Sequence, residues 1–186
     1  MKETYLDILQ EIEQLNGKDN KFWIISRETG VFLQILLRAV KAQKVLEIGT
    51  GVGYSGLYIA SILKHMNDRL YTVESNDQRF SMAQDNFRRA DLNDCITQIK
   101  GHAPEILDTF LNFELDFVFL DATKIEHIDY FNSVYEFLKK GGIIAIDNSL
   151  SHYDQFEKFF MVLKKHPRIK GEILHLGSGL GVFAKT

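Results

Sequence analysis

A strand that runs directly into three closely spaced glycines constrains the fold of this chain more than any other feature. Residues 45–56 read VLEIGTGVGYSG and lead into a helical pattern. Glycine lets the backbone turn tightly and approach a ligand without a clash at Cβ. The spacing Gly49-x-Gly51-x-Gly53 differs from the Gly-x-Gly-x-x-Gly of dinucleotide-binding enzymes. We therefore predict a ligand-binding turn between a strand and a helix.

After residue 43, strand patterns alternate with helical patterns. The β-rich runs are 44–48, 69–74, 96–100, 115–120 and 142–147, and the helical patterns are 54–66, 77–90, 126–139 and 153–165. This order predicts parallel strands joined by helical crossovers. The runs 117–120 and 143–146 lack polar alternation, which is typical of strands buried on both faces. Residues 169–176 and 180–185 flank a Gly-Ser-Gly turn and predict an antiparallel hairpin. We predict an α/β fold, a three-layer Rossmann-like sandwich with a mostly parallel seven-stranded sheet.

The first 42 residues predict a helical cap on this core. Apolar residues within 2–16 recur at spacings of three and four, as in an amphipathic helix that ends at Gly17, and a second helix begins near Arg27. Phe22 and Trp23 lie between the two helices, where anchoring in the core is favoured over contact with a ligand. A chain of 186 residues has the size of one domain. We expect a single domain, with a cap over 1–42 and a core over 43–186.

Charge, cysteine content and hydropathy narrow the possible classes of function. The net charge of −3 and the pI of 6.1 disfavour a nucleic-acid partner. Cys95 is the only cysteine, which excludes an intramolecular disulfide and a cysteine-based zinc site. Charged residues interrupt the first 16 residues, and no run approaches the roughly 20 apolar residues that span a bilayer. We expect a cytoplasmic protein with no membrane partner.

Polar residues follow the ends of the predicted strands, where ligands bind in open α/β sheets. Glu74 ends the second strand and could accept hydrogen bonds from the ribose of a nucleoside ligand. The alternative is a surface glutamate. Because the glycine turn and this acid occur together, the ribose role is favoured.

Two further strand ends carry oxygen ligands. Asp121 follows the fourth strand, and Asp147 and Asn148 follow the fifth. Such ligands suit Mg²⁺, Ca²⁺ or Mn²⁺, although either carboxylate alone would be read as a loop cap. Lys124 could serve as a general base if it is partly desolvated near a cation. On spacing alone, a solvated lysine at the start of a helix is an equal alternative.

These segments together resemble a known family. Residues 45–56, 71–74, 117–124 and 141–148 are similar to the metal-dependent O-methyltransferases of the catechol and caffeoyl-CoA type, which are class I enzymes that use S-adenosylmethionine (SAM). The similarity extends from about Ser26 to the C-terminus. It implies a SAM methyltransferase fold, a divalent cation with Mg²⁺ as the first choice, a small hydroxylated acceptor and a homodimer.

The resemblance also implies a role for each candidate residue. The methionine part of SAM would lie against Glu47, Gly49, Thr50, Gly51, Tyr54 and Ser55, and the ribose against Glu74. His102, Ala103 and Ala122 would lie near the adenine, and Asp121 would belong to both the cofactor site and the metal site. The metal would be held by Asp121, Asp147 and Asn148. Lys124 would be the base that helps to deprotonate the acceptor hydroxyl, with Asp121 as the second catalytic residue.

The acceptor is the open part of this interpretation. Residues 149–153 depart from the plant-type members, which have a tryptophan and glycines there. His152 could reach the acceptor, although a surface histidine at a helix start is favoured. His127 and Tyr130 follow Lys124 and could edge the acceptor pocket.

Three other functions stay open. The acceptor could be a hydroxyuridine in tRNA, as in some bacterial relatives of the family, but the acidic pI weakens this alternative. A nicotinamide dehydrogenase is disfavoured by the glycine spacing. A SAM-binding module without catalysis is disfavoured because Asp121, Asp147, Asn148 and Lys124 are all present.

Overall fold

A mixed sheet forms the centre of the computed structural model, which describes residues 4–66 and 68–186. Over these residues the strands are β1 (Lys44–Ile48), β2 (Arg69–Glu74), β3 (Ile96–Lys100), β4 (Leu115–Leu120), β5 (Leu138–Ile146), β6 (Ile169–Leu174) and β7 (Leu180–Lys185). The helices are α1 (Tyr5–Asn16), α2 (Arg27–Val40), α3 (Tyr54–Leu63), α4 (Asp77–Arg89), α5 (Leu107–Phe110), α6 (His127–Tyr135) and α7 (Tyr153–Lys165). None of the helices in this part of the chain is long and apolar enough to cross a membrane.

The strand order is β3-β2-β1-β4-β5-β7-β6. The first five strands are parallel, whereas β7 is antiparallel to both β5 and β6. The chain moves outward from β1 in one direction through β3 and then returns to place β4 on the other side of β1. The order therefore reverses between β1 and β4, which is where ligands bind in sheets of this kind. The predicted fold class is confirmed, including the antiparallel C-terminal strands.

Helices cover both faces of the sheet, and β4 shows why. Phe117 and Phe119 pack into a core with α1, α2, α3 and α4, while Val118 and Leu120 pack into a second core with α5, α6 and α7. All four side chains are fully buried. A strand covered on both faces needs apolar residues at every position, which explains the missing polar alternation.

Two helix ends agree with the sequence prediction, and one boundary does not. The side chain of Asn76 accepts a hydrogen bond from the Arg79 amide and caps α4, and Gly17 ends α1. The helix predicted over 126–139 is wrong at its end, because α6 stops at Tyr135 and β5 starts at Leu138. The Leu115 amide donates to the Phe137 carbonyl at 2.7 Å, so pairing with β4 draws this segment into the sheet early. The register then shifts between Leu115 and Phe117.

Candidate functional site

A cavity of about 500 Å³ lies at the carboxyl ends of β1, β2, β4 and β5. It is at the point where the strand order reverses, as the sequence analysis predicts. The predicted site residues that line it are Gly49, Thr50, Gly51, Tyr54, Ser55, Glu74, His102, Ala103, Asp121, Ala122, Lys124 and Asn148. The other two predicted site residues, Glu47 and Asp147, do not line the cavity.

The turn after β1 needs glycine because β4 ends against it. Gly49 has φ +101°, and a Cβ at this position would lie 2.1 Å from the Asp121 carbonyl oxygen. The amides of Gly49 and Thr50 both donate to the Val73 carbonyl, at 3.0 and 3.1 Å. The turn is thus fixed to the ends of both neighbouring strands, and its backbone forms part of the cavity wall.

Glu47 is hydrogen-bonded to side chains next to this turn. It is fully buried, and its carboxylate accepts hydrogen bonds from Ser55 Oγ at 2.5 Å and from Thr72 Oγ1 at 2.6 Å. Burial raises the pKa of Glu47 to about 7, although the two hydroxyl donors oppose the shift. The Thr72 hydroxyl is also hydrogen-bonded to that of Thr50, 2.5 Å away. Glu47 is therefore linked by hydrogen bonds to two residues of the cavity wall, directly to Ser55 and through Thr72 to Thr50.

Thr72 is a residue that the sequence analysis missed. Its position is a direct consequence of strand register, because Glu47 and Thr72 are paired on the parallel strands β1 and β2. A buried carboxylate needs hydrogen-bond donors, and the paired residue is the nearest source. The strand pairing could have suggested it.

Glu74 joins the glycine turn to the end of β2. Its two oxygens accept hydrogen bonds from the Gly51 amide at 2.9 Å and the Asn76 amide at 2.8 Å. The side chain is buried, and the residue lines the cavity. Two backbone donors thus hold the carboxylate in a fixed orientation at the cavity.

Two carboxylates and a lysine come together where β4 and β5 end. Lys124 Nζ lies 3.0 Å from Asp121 Oδ1, and both side chains are largely buried. Asp147 is also buried, and its Oδ1 has no hydrogen-bond partner among the described residues. Burial first, and then the negative charge of Asp121, raise the pKa of Asp147 to about 7.

This arrangement fits a divalent cation. A buried carboxylate oxygen without a partner, close to a second carboxylate, is unfavourable without further positive charge, and Lys124 supplies one such charge beside Asp121. Within the described ranges, no group of three or more His, Cys, Asp or Glu side chains could hold a metal. The two carboxylates Asp121 and Asp147 would thus need the amide oxygen of Asn148, and further ligands from water or substrate, to hold a cation.

A charged cluster borders the cavity near the end of β3. His102 Nδ1 lies 2.9 Å from Glu105 Oε2, and its Nε2 lies 3.3 Å from Glu126 Oε2. The hydrogen bond to Glu105 is the main cause that raises the pKa of His102. The hydroxyl of Tyr130 donates to the same Glu126 oxygen. Of the two residues expected to edge the acceptor pocket, Tyr130 lines the cavity, whereas His127 is fully buried away from it.

Trp23, His152 and Ser178 also line the cavity. His152 is exposed at the start of α7, as predicted for a surface histidine. Trp23 is 69% exposed, so the prediction of core anchoring is wrong for this residue. Its ring instead lies 5.2 Å from the Arg79 guanidinium. His152 Nδ1 is 2.9 Å from Ser151 Oγ. Ser178 is in the β6–β7 turn, where its carbonyl accepts the Ser151 amide at 3.0 Å.

The chain is similar to known O-methyltransferases. A family model described as O-methyltransferase matches residues 2–186. A catechol O-methyltransferase from Mycobacterium tuberculosis is 32% identical over 124 residues, which are 67% of this chain and 56% of that protein. Caffeoyl-CoA O-methyltransferase 1 from Eucalyptus globulus is 30% identical over 149 residues, which are 76% of this chain and 59% of that protein. The chain thus spans little more than half the length of these curated relatives.

A solved structure agrees with the same assignment. The crystal structure of an O-methyltransferase from Bacillus cereus in complex with SAH has a TM-score of 0.85 and 26% sequence identity, and it covers 96% of this chain and 90% of that one. Because the family model matches residues 2–186, the protein belongs to the O-methyltransferase family.

Proposed function

We propose that the protein is a SAM-dependent O-methyltransferase that methylates a hydroxyl of a catechol-like small molecule with the assistance of a divalent cation. One observation carries this proposal. The same cavity is lined by the glycine turn with Glu74 and by Asp121, Lys124 and Asn148. A nucleoside-binding wall and a group of charged residues suited to acid–base chemistry thus share one space, as transfer between two bound reactants requires.

The proposed methyl donor is SAM. The turn from Gly49 to Ser55 would hold its methionine part, and the anchored carboxylate of Glu74 would accept hydrogen bonds from the ribose hydroxyls. His102, Ala103 and Ala122 would border the adenine. The B. cereus relative supports this choice because it was crystallised with SAH, the compound that remains when SAM has lost its methyl group.

Asp121, Asp147 and Asn148 would hold the divalent cation, which would supply Lewis-acid chemistry that lowers the pKa of the acceptor hydroxyl. Lys124 would accept the proton of that hydroxyl at Nζ. The lysine must be neutral to do so, which means that its ammonium group has first released a proton to solvent. The acceptor oxygen would then form a bond to the SAM methyl carbon as the carbon–sulfur bond breaks, leaving SAH. Alignment of the two reactants in one cavity supplies much of the rate enhancement, since the sulfonium of SAM is already a good leaving group.

The acceptor would lie near Trp23, Lys124 and His152. An exposed aromatic ring at a cavity wall suits a flat aromatic acceptor, which can stack against it. The catechol and caffeoyl-CoA substrates named for the two curated relatives are both of this kind. This supports a catechol-like ring as the acceptor.

The test is an acceptor panel with purified protein and SAM. Catechols, flavonoids, hydroxycinnamoyl thioesters and hydroxyuridine-containing tRNA are assayed for SAH release, with Mg²⁺ and with excess chelator. We expect release with catechol-like compounds and its loss in chelator. SAH release with tRNA alone would show that the acceptor is a tRNA nucleoside and not a small molecule. Undiminished release in chelator would overturn the role of the metal. If the protein bound neither SAM nor SAH, the proposed function as a whole would be wrong.

We also propose that the protein forms a homodimer through its N-terminal helices. Leu6 of α1 and Val31 and Ile35 of α2 are large apolar residues with 45% to 58% of their surface exposed. Such residues are common where a second chain packs. Light scattering with the wild type and with Ile35→Lys tests the proposal, and a wild-type mass of one chain would contradict it.

A further inference from the structure

Tyr54 connects the cofactor cavity to a helix that does not reach it. Tyr54 is the first residue of α3, it lines the cavity, and only 3% of its surface is exposed. Its hydroxyl donates to Glu13 Oε1 at 2.6 Å. Glu13 is in α1, and no residue of α1 lines the cavity.

A second contact holds the Glu13 carboxylate in place. Arg27, the first residue of α2, donates from Nη2 to Glu13 Oε2 at 2.6 Å and from Nε to Oε1 at 3.3 Å. Burial opposes ionisation of Glu13, but the hydrogen bonds from Arg27 and Tyr54 outweigh it and lower the pKa of this carboxyl. Glu13 therefore presents a charged acceptor of fixed orientation to the tyrosine.

Packing also confines the ring of Tyr54. Tyr58, one turn further along α3, meets Tyr54 edge to face with ring centroids 5.5 Å apart. Tyr58 itself lies against Gly30 of α2, where an added Cβ would be 2.5 Å from its ring. Packing thus restricts the ring, and the hydrogen bond to Glu13 fixes the hydroxyl end.

We propose that Glu13 is a positioning residue for the cofactor: it holds the hydroxyl of Tyr54 and thereby fixes the tyrosine ring in the wall of the SAM site. The proposal rests on the proposed function, because it takes this cavity as the SAM site. The N-terminal helix then contributes to cofactor affinity without touching the cofactor. Loss of the acceptor leaves the buried hydroxyl with only the neutral hydroxyl of Tyr58 as a partner, so the tyrosine loses its strong charged hydrogen bond and is held less firmly.

The same helix offers a matched control. Glu11, one position before Ile12 in α1, forms an ion pair with Arg89 of α4, with Arg89 Nη1 3.0 Å from Glu11 Oε1. This ion pair also fixes α1 to the rest of the protein, but neither of its residues lines the cofactor cavity. A variant at Glu11 therefore reports on the docking of α1 alone.

The experiment measures SAM and SAH binding by calorimetry for the 186-residue wild type and for five variants. These are Glu13→Ala, Glu13→Gln, Tyr54→Phe, Glu13→Ala/Tyr54→Phe and Glu11→Gln. We expect Glu13→Ala and Tyr54→Phe each to weaken SAM binding by up to about 10-fold, because the tyrosine ring must then be ordered when SAM binds instead of being held in place beforehand. The double variant should be no weaker than the worse single variant, because both remove one interaction. Glu13→Gln should retain part of the affinity, since its amide oxygen can still accept from Tyr54.

The kinetic readout separates positioning from a general loss of structure. In the acceptor assay, Glu13→Gln should raise the KM for SAM and leave kcat at saturating SAM close to that of the wild type. Glu11→Gln should change neither. Equal effects of Glu11→Gln and Glu13→Gln on SAM affinity, additive effects in the double variant, or unchanged affinity of the Glu13 variants would each overturn the proposal.

Two outcomes distinguish this proposal from the proposed function. If the wild type binds neither SAM nor SAH, the proposed function is wrong and this inference falls with it. If the wild type binds both and the Glu13 variants bind equally well, only this inference is wrong. Should Glu13→Ala fail to fold, Glu13→Gln and Tyr54→Phe nearly preserve side-chain size and carry the comparison.

Discussion

Lys124 Nζ lies 3.0 Å from Asp121 Oδ1 at the end of β4, and both side chains line the same cavity. The other end of β4 has a similar ion pair, in which Lys139 Nζ lies 2.7 Å from Asp116 Oδ1. Only the first pair is at the cavity. One strand therefore carries a candidate catalytic pair and an internal control for it.

Replacement of Lys124 by methionine should lower kcat by about 100-fold to 10,000-fold, the range expected when a general base is lost. The affinity for SAM should stay within a few fold, because the cofactor is bound by the glycine turn and Glu74. Lys139→Met removes a comparable ion pair and should leave kcat unchanged. Steady-state kinetics and calorimetry measure both effects, and equal kcat in the two variants would contradict the role of Lys124.

Replacement of Asp147 by alanine should abolish methyl transfer while SAM binding largely persists. Asp147 lies behind the cavity wall and has an unpartnered buried oxygen, so its expected role is to hold the cation. Asp154→Ala, at an exposed position in the first turn of α7, is the control and should keep full activity. Wild-type activity of Asp147→Ala would show that transfer does not need this carboxylate.

How far the sequence anticipated this site depends on where each contact originates. Parallel strands bring their carboxyl ends to one edge, so the order of strands was enough to bring Glu74, Asp121 and Asn148 together. The conformation of Trp23 depends on Arg79, which is 56 residues away in sequence, and on a backbone φ of +51°. No local pattern encodes either of these, so the sequence does not predict the position of Trp23.

The burial of Glu47, in contrast, can be predicted from the sequence. Successive residues of a strand face opposite sides of the sheet. Glu47 therefore lies on the same face of the sheet as Val45, which packs in the core with α3, and Ser55 of α3 is on that face too.

The early start of β5 cannot be predicted in this way. It depends on the Leu115 amide pairing across to Phe137, a contact that no periodicity reveals.

Replacement of Glu74 by glutamine should weaken SAM binding about 10-fold to 100-fold. Glutamine has one acceptor oxygen, so the amide of Gly51 or Asn76 loses its partner, and hydrogen bonds to a charged group are worth about 1.5 to 3 kcal/mol. Glu172→Gln, exposed on β6, should bind SAM normally. Unchanged affinity of Glu74→Gln would remove Glu74 from the proposed ribose site.

The glycines of the turn should differ sharply in their tolerance of alanine. Gly49→Ala should reduce the free energy of unfolding by about 3 kcal/mol or more, because its Cβ would meet the Asp121 carbonyl in addition to the strain of a positive φ. Gly51 has φ +56° and no atom within 4 Å of an added Cβ, so Gly51→Ala should cost about 1 kcal/mol. Urea denaturation measures both, and similar values would contradict the close approach of β4.

His127 should make the stability of the protein depend on pH. It is fully buried beside Phe156 and Phe159, Nδ1 lies 3.1 Å from the Thr123 carbonyl, and Nε2 has no partner in the part of the chain that the structure describes. Burial first, and then the charge of Lys124, lower the pKa of His127 to about 4.

Between about pH 6.5, where an unfolded histidine titrates, and pH 4, the unfolded chain therefore binds one more proton at His127 than the folded chain does. Stability from this residue is complete above that range and is lost as the pH falls through it, up to about 3 kcal/mol. In urea titrations at pH 7 and pH 5, His127→Phe should lose less stability than the wild type on acidification. His65→Gln, at an exposed position, should follow the wild type. If His127→Phe and the wild type lose the same free energy, the buried histidine is not the source of acid sensitivity.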